Sequence, residues 1–136
     1  MYNHATQTER VKIMSRQKRK GDGYERELAH WLNTNVYKEE RCERAPLSGG
    51  GSVNMAAGGA DLLGTPGIFV EAKRVEKLPW RDALAQAERN SAHRKTDQTP
   101  LVITRRNREA TEDSVCFLRL KEFAKYYEAY LREQMK

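Results

Sequence analysis

The sequence predicts an α/β fold, a central mixed β-sheet flanked by helices. Three observations carry that expectation. Apolar runs of strand length ("GIFV", "PLVIT") alternate with helix-length polar segments in the order α-β-β-β-α-β-β-α. The 136 residues suffice for one core and fall short of two full domains. Glycine and proline clusters stand between the periodic segments, where turns are needed.

Residues 1–19 lack hydrophobic periodicity and end in "RQKRK", so they read as a mobile basic N-terminal arm ahead of a single domain over 20–136. In "GDGYERELAHWLNTN", Tyr24, Leu28, Trp31 and Leu32 form one apolar stripe, which predicts a helix over about 23–34 with Asp22 as its N-cap. A short strand near 42–47 follows. It leads into a loop over 48–59 rich in glycine: Gly49, Gly50, Gly51, Gly58 and Gly59. "ADLL" and "GIFVEAKRV" read as two paired strands joined by "GTPG", where Pro66 and Gly67 suit the centre of a type II turn. Pro79 suits the first position of the helix "WRDALAQAERNSAHRK". "PLVITRR" and "DSVCFLRL" are further strands, and "KEFAKYYEAYLREQMK" is a closing amphipathic helix.

Lys and Arg number 25 against 19 Asp and Glu, giving a net charge of +6 and a pI near 9.4, which favours a polyanionic partner such as nucleic acid. Apolar runs stay well short of the roughly 20 residues of a membrane span, and the N-terminus has no signal-peptide core. A cytoplasmic protein without a membrane partner is expected. Cys42 and Cys116 lack CxxC spacing, and His4, His30 and His93 make no zinc signature, so two reduced structural thiols are expected.

Chemistry concentrates in "ADLLGTPGIFVEAKR". Strand alternation puts Glu71 and Lys73 on one face, and an antiparallel return across the turn would bring Asp61 beside Glu71. Two carboxylates this close repel unless one is protonated or a cation bridges them. Mg²⁺ takes oxygen ligands and keeps several waters, so Asp61, Glu71 and the Ala72 carbonyl are candidate ligands, with Mn²⁺ an expected substitute. Lys73 would orient or deprotonate a water and offset phosphate charge, the chemistry of phosphodiester hydrolysis. An exposed salt-bridge cluster is the plainer alternative, and the apolar "GIFV" argues against it, since unpaired charge in a buried strand is costly.

The D-x9-E-x-K pattern resembles the catalytic core of the PD-(D/E)xK nuclease superfamily, with Ala60 where a proline usually precedes the aspartate. The combination "KGDGYERELAHWL", "ERAPLSGGG", "ADLL" and "FVEAKR" resembles the archaeal-type Holliday junction resolvases, also phage-encoded, over roughly residues 20–105. The resemblance implies a restriction-endonuclease-like core, a homodimer, and branched DNA, specifically four-way junctions, as substrate, cut with Mg²⁺. It also implies a site of Glu25, Arg44, Asp61, Glu71 and Lys73, with Ser48 a weaker match and Glu25 a further metal or water ligand. Glu25 lies three residues after Asp22, so a capping role is its alternative.

Arg44, Ser48, Arg74, Lys77 and Arg81 are the candidate phosphate contacts around the sheet face, and Gln86 is a candidate auxiliary residue. Glu27 is expected to be solvated. Trp31, Trp80, Tyr126, Tyr127 and Tyr130 fall at helical spacings that favour packing or a dimer contact over base stacking. Two other readings stand beside the resolvase: a restriction-like or repair nuclease acting on duplex, nicks or flaps, and a noncatalytic nucleic-acid-binding protein.

Overall fold

The computed structural model describes residues 23–46, 60–94 and 97–136. The basic arm, Asp22, Ser48 and the glycine-rich loop lie outside the described residues. The described chain is mixed α/β, with three α-helices and a small mixed sheet.

Helix α1 covers residues 23–32 and widens into a π-helical turn, Asn33–Tyr37, that ends on Lys38 in the left-handed region. Strands β1 (Glu43–Arg44) and β2 (Leu62–Leu63) pair antiparallel. Strand β3 (Ile68–Arg74) runs parallel to β4 (Thr99–Arg105) across helix α2 (Trp80–Arg94), a βαβ crossover. Strand β5 (Val115–Phe117) returns antiparallel to β4, and helix α3 (Leu120–Gln134) closes the chain. The order β3-β4-β5 makes β4 the central strand.

Sheet alternation explains the layering. Tyr24, Leu28 and Ala29 of α1 pack with Leu62, Val70, Ala72 and Ile103 on one face. Ala83, Leu84 and Ala87 of α2 pack on Val102 on the other. Val102 and Ile103 are neighbours in sequence and belong to opposite cores, as a strand covered on both sides requires.

Two expectations about strand pairing and helix bounds need correction. The segment "ADLL" forms no ladder with β3, because β2 spends its pairing on β1. The predicted turn is nonetheless present: Ile68 N–H donates to the Thr65 carbonyl at 3.2 Å, and Gly67 at φ +84° takes the left-handed third position. Gly64 is also obligatory, since its φ is +75° and a Cβ there would overlap the Arg41 carbonyl. Secondly, Pro79 precedes α2, its carbonyl accepting the Ala83 amide at 3.0 Å.

Polar side chains lock the layers together. Arg105, buried in β4, donates twice to Glu27 of α1, at 2.9 and 3.1 Å, and lies over the Tyr24 ring. Glu27 is therefore a structural partner, contrary to its expected solvation; the pairing satisfies a guanidinium that could not otherwise be buried cheaply. Tyr24 Oη in turn contacts Ser114 Oγ at 2.7 Å.

Asn33 ties α1 to the approach of β1. Its Oδ1 accepts the amides of Arg41 (3.0 Å) and Cys42 (2.8 Å), and its Nδ2 donates to the Cys42 carbonyl (2.8 Å). Replacement by leucine would leave three backbone groups without this partner, the two of Cys42 buried and the Arg41 amide part-buried, at roughly 1–3 kcal/mol for each that water cannot reach. Asn33→Leu is expected to lose about 3 kcal/mol, read as a lower urea midpoint with an unchanged m-value.

Candidate functional site

Asp61 sits where the two sheets meet. Its carbonyl accepts the Ala45 amide at 2.9 Å, on the β1 side, and its own amide donates to the Val70 carbonyl of β3 at 2.9 Å. Its Oδ2 accepts the Ala72 amide at 2.7 Å. The carboxylate thus takes a strand-partner position at a β3 edge that no other described strand occupies, and that contact orients it. The amide and carbonyl of one strand residue point to the same edge, so the Ala72 carbonyl shares the Asp61 side.

Glu71 is 4% exposed on a strand whose neighbours Phe69 and Val70 are fully buried. Its Oε1 lies 3.6 Å from Lys73 Nζ, while Oε2 has no hydrogen-bond partner among the described residues. Burial first, then the Asp61 charge, push the Glu71 carboxyl up to about 7, with Lys73 opposing. Burial also raises Asp61, against the Ala72 amide and Lys73. Two acids that each resist ionisation beside one ammonium form a cluster short of positive charge.

The donors are all oxygen, from two carboxylates and a backbone carbonyl, which suits a hard divalent cation and not a thiolate- or imidazole-seeking metal. The carboxylate oxygen of Glu71 that lacks a donor is what such an ion would satisfy. Among the described residues, no three His, Cys, Asp or Glu side chains converge on one point, so the protein would leave part of the coordination to water.

The structure therefore brings Asp61, Glu71, Ala72 and Lys73 together. Glu25 faces Arg44 at 3.4 Å, both side chains largely enclosed. Arg44 thus stands as the partner of a helix carboxylate, a more sheltered place than a phosphate contact on an open face.

The remaining basic candidates do not share one sheet face. Arg74 alternates away from Lys73 and donates to Asn107 Oδ1 at 3.0 Å. Lys77 is exposed and lines a cavity of about 370 Å³ beyond the ends of β3 and β4. The Arg81 guanidinium lies 4.3 Å over the Trp80 ring, which itself stacks on Phe117. Gln86 is half-buried on α2, beside Ala87, which packs on Val102.

Sequence reasoning missed Arg105 and Asn107, which hold Glu27 and Arg74. The signal available was weak: Arg105 is the last residue of an apolar strand, where a lone cation demands a partner.

The electrostatics set a pH dependence. A carboxyl whose folded pKa is raised binds its proton more tightly folded than unfolded, so its contribution to stability is lost as pH rises from about 4.5 to about 7. Glu71→Gln is expected to flatten that slope and to raise stability at pH 8 by about 2–3 kcal/mol, measured by urea unfolding across pH 5–8. A variant less stable than the parent at pH 8 would contradict the assigned cost.

No protein-family model matches this chain, and no curated protein or solved structure does either, so the site stands on its own residues.

Proposed function

We propose that the chain is a Mg²⁺-dependent, structure-specific DNA endonuclease with a PD-(D/E)xK core, a Holliday junction resolvase acting as a homodimer. The observation that supports this most directly is the gathering of Asp61, Glu71 and Lys73 at one strand edge, with Glu71 Oε2 buried and without a donor among the described residues. The sequence resemblance supports it independently, since the same three residues occupy the signature positions.

Asp61, Glu71 and the Ala72 carbonyl would hold the ion, which when bound supplies positive charge against the carboxylates and polarises a phosphate oxygen. Asp61 contributes orientation as well, because the Ala72 amide fixes one of its oxygens. Lys73, half-exposed beside Glu71, hydrogen-bonds a water for in-line attack on phosphorus and offsets the charge that develops there. The P–O3′ bond breaks as the P–O bond to water forms, the attacking water releases a proton to bulk water while the 3′ oxygen takes one up from it, and the product carries a 5′-phosphate. Lys77, Arg81 and Arg74 supply salt-sensitive backbone contacts, and branched shape selects the substrate. A two-fold junction presents two equivalent strands to a two-fold dimer.

With synthetic four-way junctions in Mg²⁺, paired cuts are expected, and linear duplex of matched length should be a poor substrate; equal cleavage of both would favour the repair or restriction-like nuclease. Asp61→Asn and Glu71→Gln should each lower cleavage by about 100-fold or more while junction binding persists. Asparagine can still accept the Ala72 amide, so loss of activity there would not trace to unfolding.

One observation favours a noncatalytic nucleic-acid-binding protein instead: Asp61 Oδ2 already serves the backbone of β3. Thermal unfolding separates the two readings without any substrate. If the carboxyl pair binds a cation, Mg²⁺ should raise the melting temperature at pH 8 and much less at pH 5.5, where Glu71 holds its proton, and Glu71→Gln should abolish the difference.

A further inference from the structure

Helix α3 has no buried residue over its 15 positions. One flank is fastened: Tyr126 Oη donates to the Gly67 carbonyl at 2.9 Å and lies 3.0 Å from Thr99 Oγ1, which donates to Glu122 at 3.0 Å. Arg119, just before the helix, donates twice to Glu88 of α2. Successive residues are 100° apart on a helix, so the flank of Glu122 and Tyr126 leaves the stripe centred on Tyr127 facing outward.

That stripe is apolar. Leu120, Phe123, Tyr127 and Tyr130 recur at spacings of three, four and three, flanked by Leu131 and Met135, and the six are between 43% and 86% exposed. An aromatic side chain carries 150–250 Å². With about half of each ring outside, and the leucines and Met135 added, the face is on the order of 700 Å². A typical monomer's largest patch is about 300–600 Å², and a stable complex uses about 800 Å² per partner.

The helix also indicates what covers it. It carries three cations (Lys121, Lys125, Arg132) and three anions (Glu122, Glu128, Glu133), which gives neither the cationic stripe that nucleic acid needs nor the one that an anionic lipid surface needs. A three-four spacing is the seam of a helix that packs against a second helix bearing the same pattern. Helices α1 and α2 already spend their apolar faces on the sheet, so within the described chain no such helix is free. A second copy offers one, and a two-fold contact requires only one self-complementary patch.

We propose that α3 is the surface through which two copies of this chain associate, Phe123, Tyr127 and Tyr130 packing against the same residues of the other copy. The site resemblance stops near residue 105 and does not reach this helix. The inference rests on the nuclease reading for its consequence, two sites held together for paired cuts, and its test is independent of cleavage.

Light scattering of the full chain at concentrations up to about 100 µM should give twice the 15.7 kDa chain mass. The variant Tyr127→Lys with Tyr130→Lys should be monomeric, with association weakened at least about 100-fold and an unchanged far-ultraviolet spectrum. Leu120→Lys, at the most open position of the stripe within the helix, serves as a second variant should the first misfold, and should also weaken association. A wild-type chain that stays monomeric would assign the face to another protein or to lipid and overturn the inference. So would a folded variant that dimerises as tightly as the parent. If the wild type dimerises but cuts no junction, the nuclease reading fails and the surface stands; if it cuts, the monomeric variant should release single nicks in place of paired cuts.

Discussion

The contact between Asp61 Oδ2 and the Ala72 amide, 2.7 Å long, is the constraint on which the rest of the site depends. Among the described residues, strand β3 has a regular strand partner on one edge, β4. On the other edge the Asp61 backbone and side chain stand in for a strand, bonding to Val70 and Ala72, while the Asp61 carbonyl reaches Ala45. One residue thus stitches the β1–β2 ribbon to the main sheet. The same stitch delivers a carboxylate to the side of Glu71, so the architecture and the chemistry share an atom.

This arrangement is costly as a resting fold. Glu71 is almost wholly enclosed, one of its oxygens has no donor among the described residues, and its carboxyl is pushed up to about 7. A core selected for stability alone would place a leucine or glutamine there. Stability lost at a strand edge, with Lys73 as partial compensation, is the pattern expected where charge is held ready for a ligand. The other buried charged side chain among the described residues is paired: Arg105 is matched twice by Glu27 and lies over the Tyr24 ring. That contrast between a satisfied lock and an unsatisfied cluster, a few residues apart in the same sheet, separates structure from candidate function.

The layers explain why the cluster can be tolerated. Strand β4 is covered on both faces, by α1 against Ile103 and by α2 against Val102. These cores hold β3 in register from Ile68 to Arg74, and the Asn33 side chain anchors the segment that leads into β1. The repulsion between Asp61 and Glu71 is thereby borne by packing at some distance. Helix α3 adds nothing to either core; its apolar stripe faces away from the domain that carries it.

By itself the sequence determined the local elements: the α1 stripe of Tyr24 and Leu28, the Thr65–Ile68 turn with its left-handed Gly67, the apolar β3, and the shared face of Glu71 and Lys73. Each follows from side-chain periodicity or from a φ that only glycine adopts easily, and both act within a few residues. Tertiary structure alone decided which strand β2 joins, that Glu27 rather than Glu25 meets Arg105 across 78 positions, and that the α3 stripe stays exposed among the described residues. Those choices depend on hydrogen bonds and charges meeting over long sequence separations, where periodicity says which way a side chain points and nothing about what it will find there.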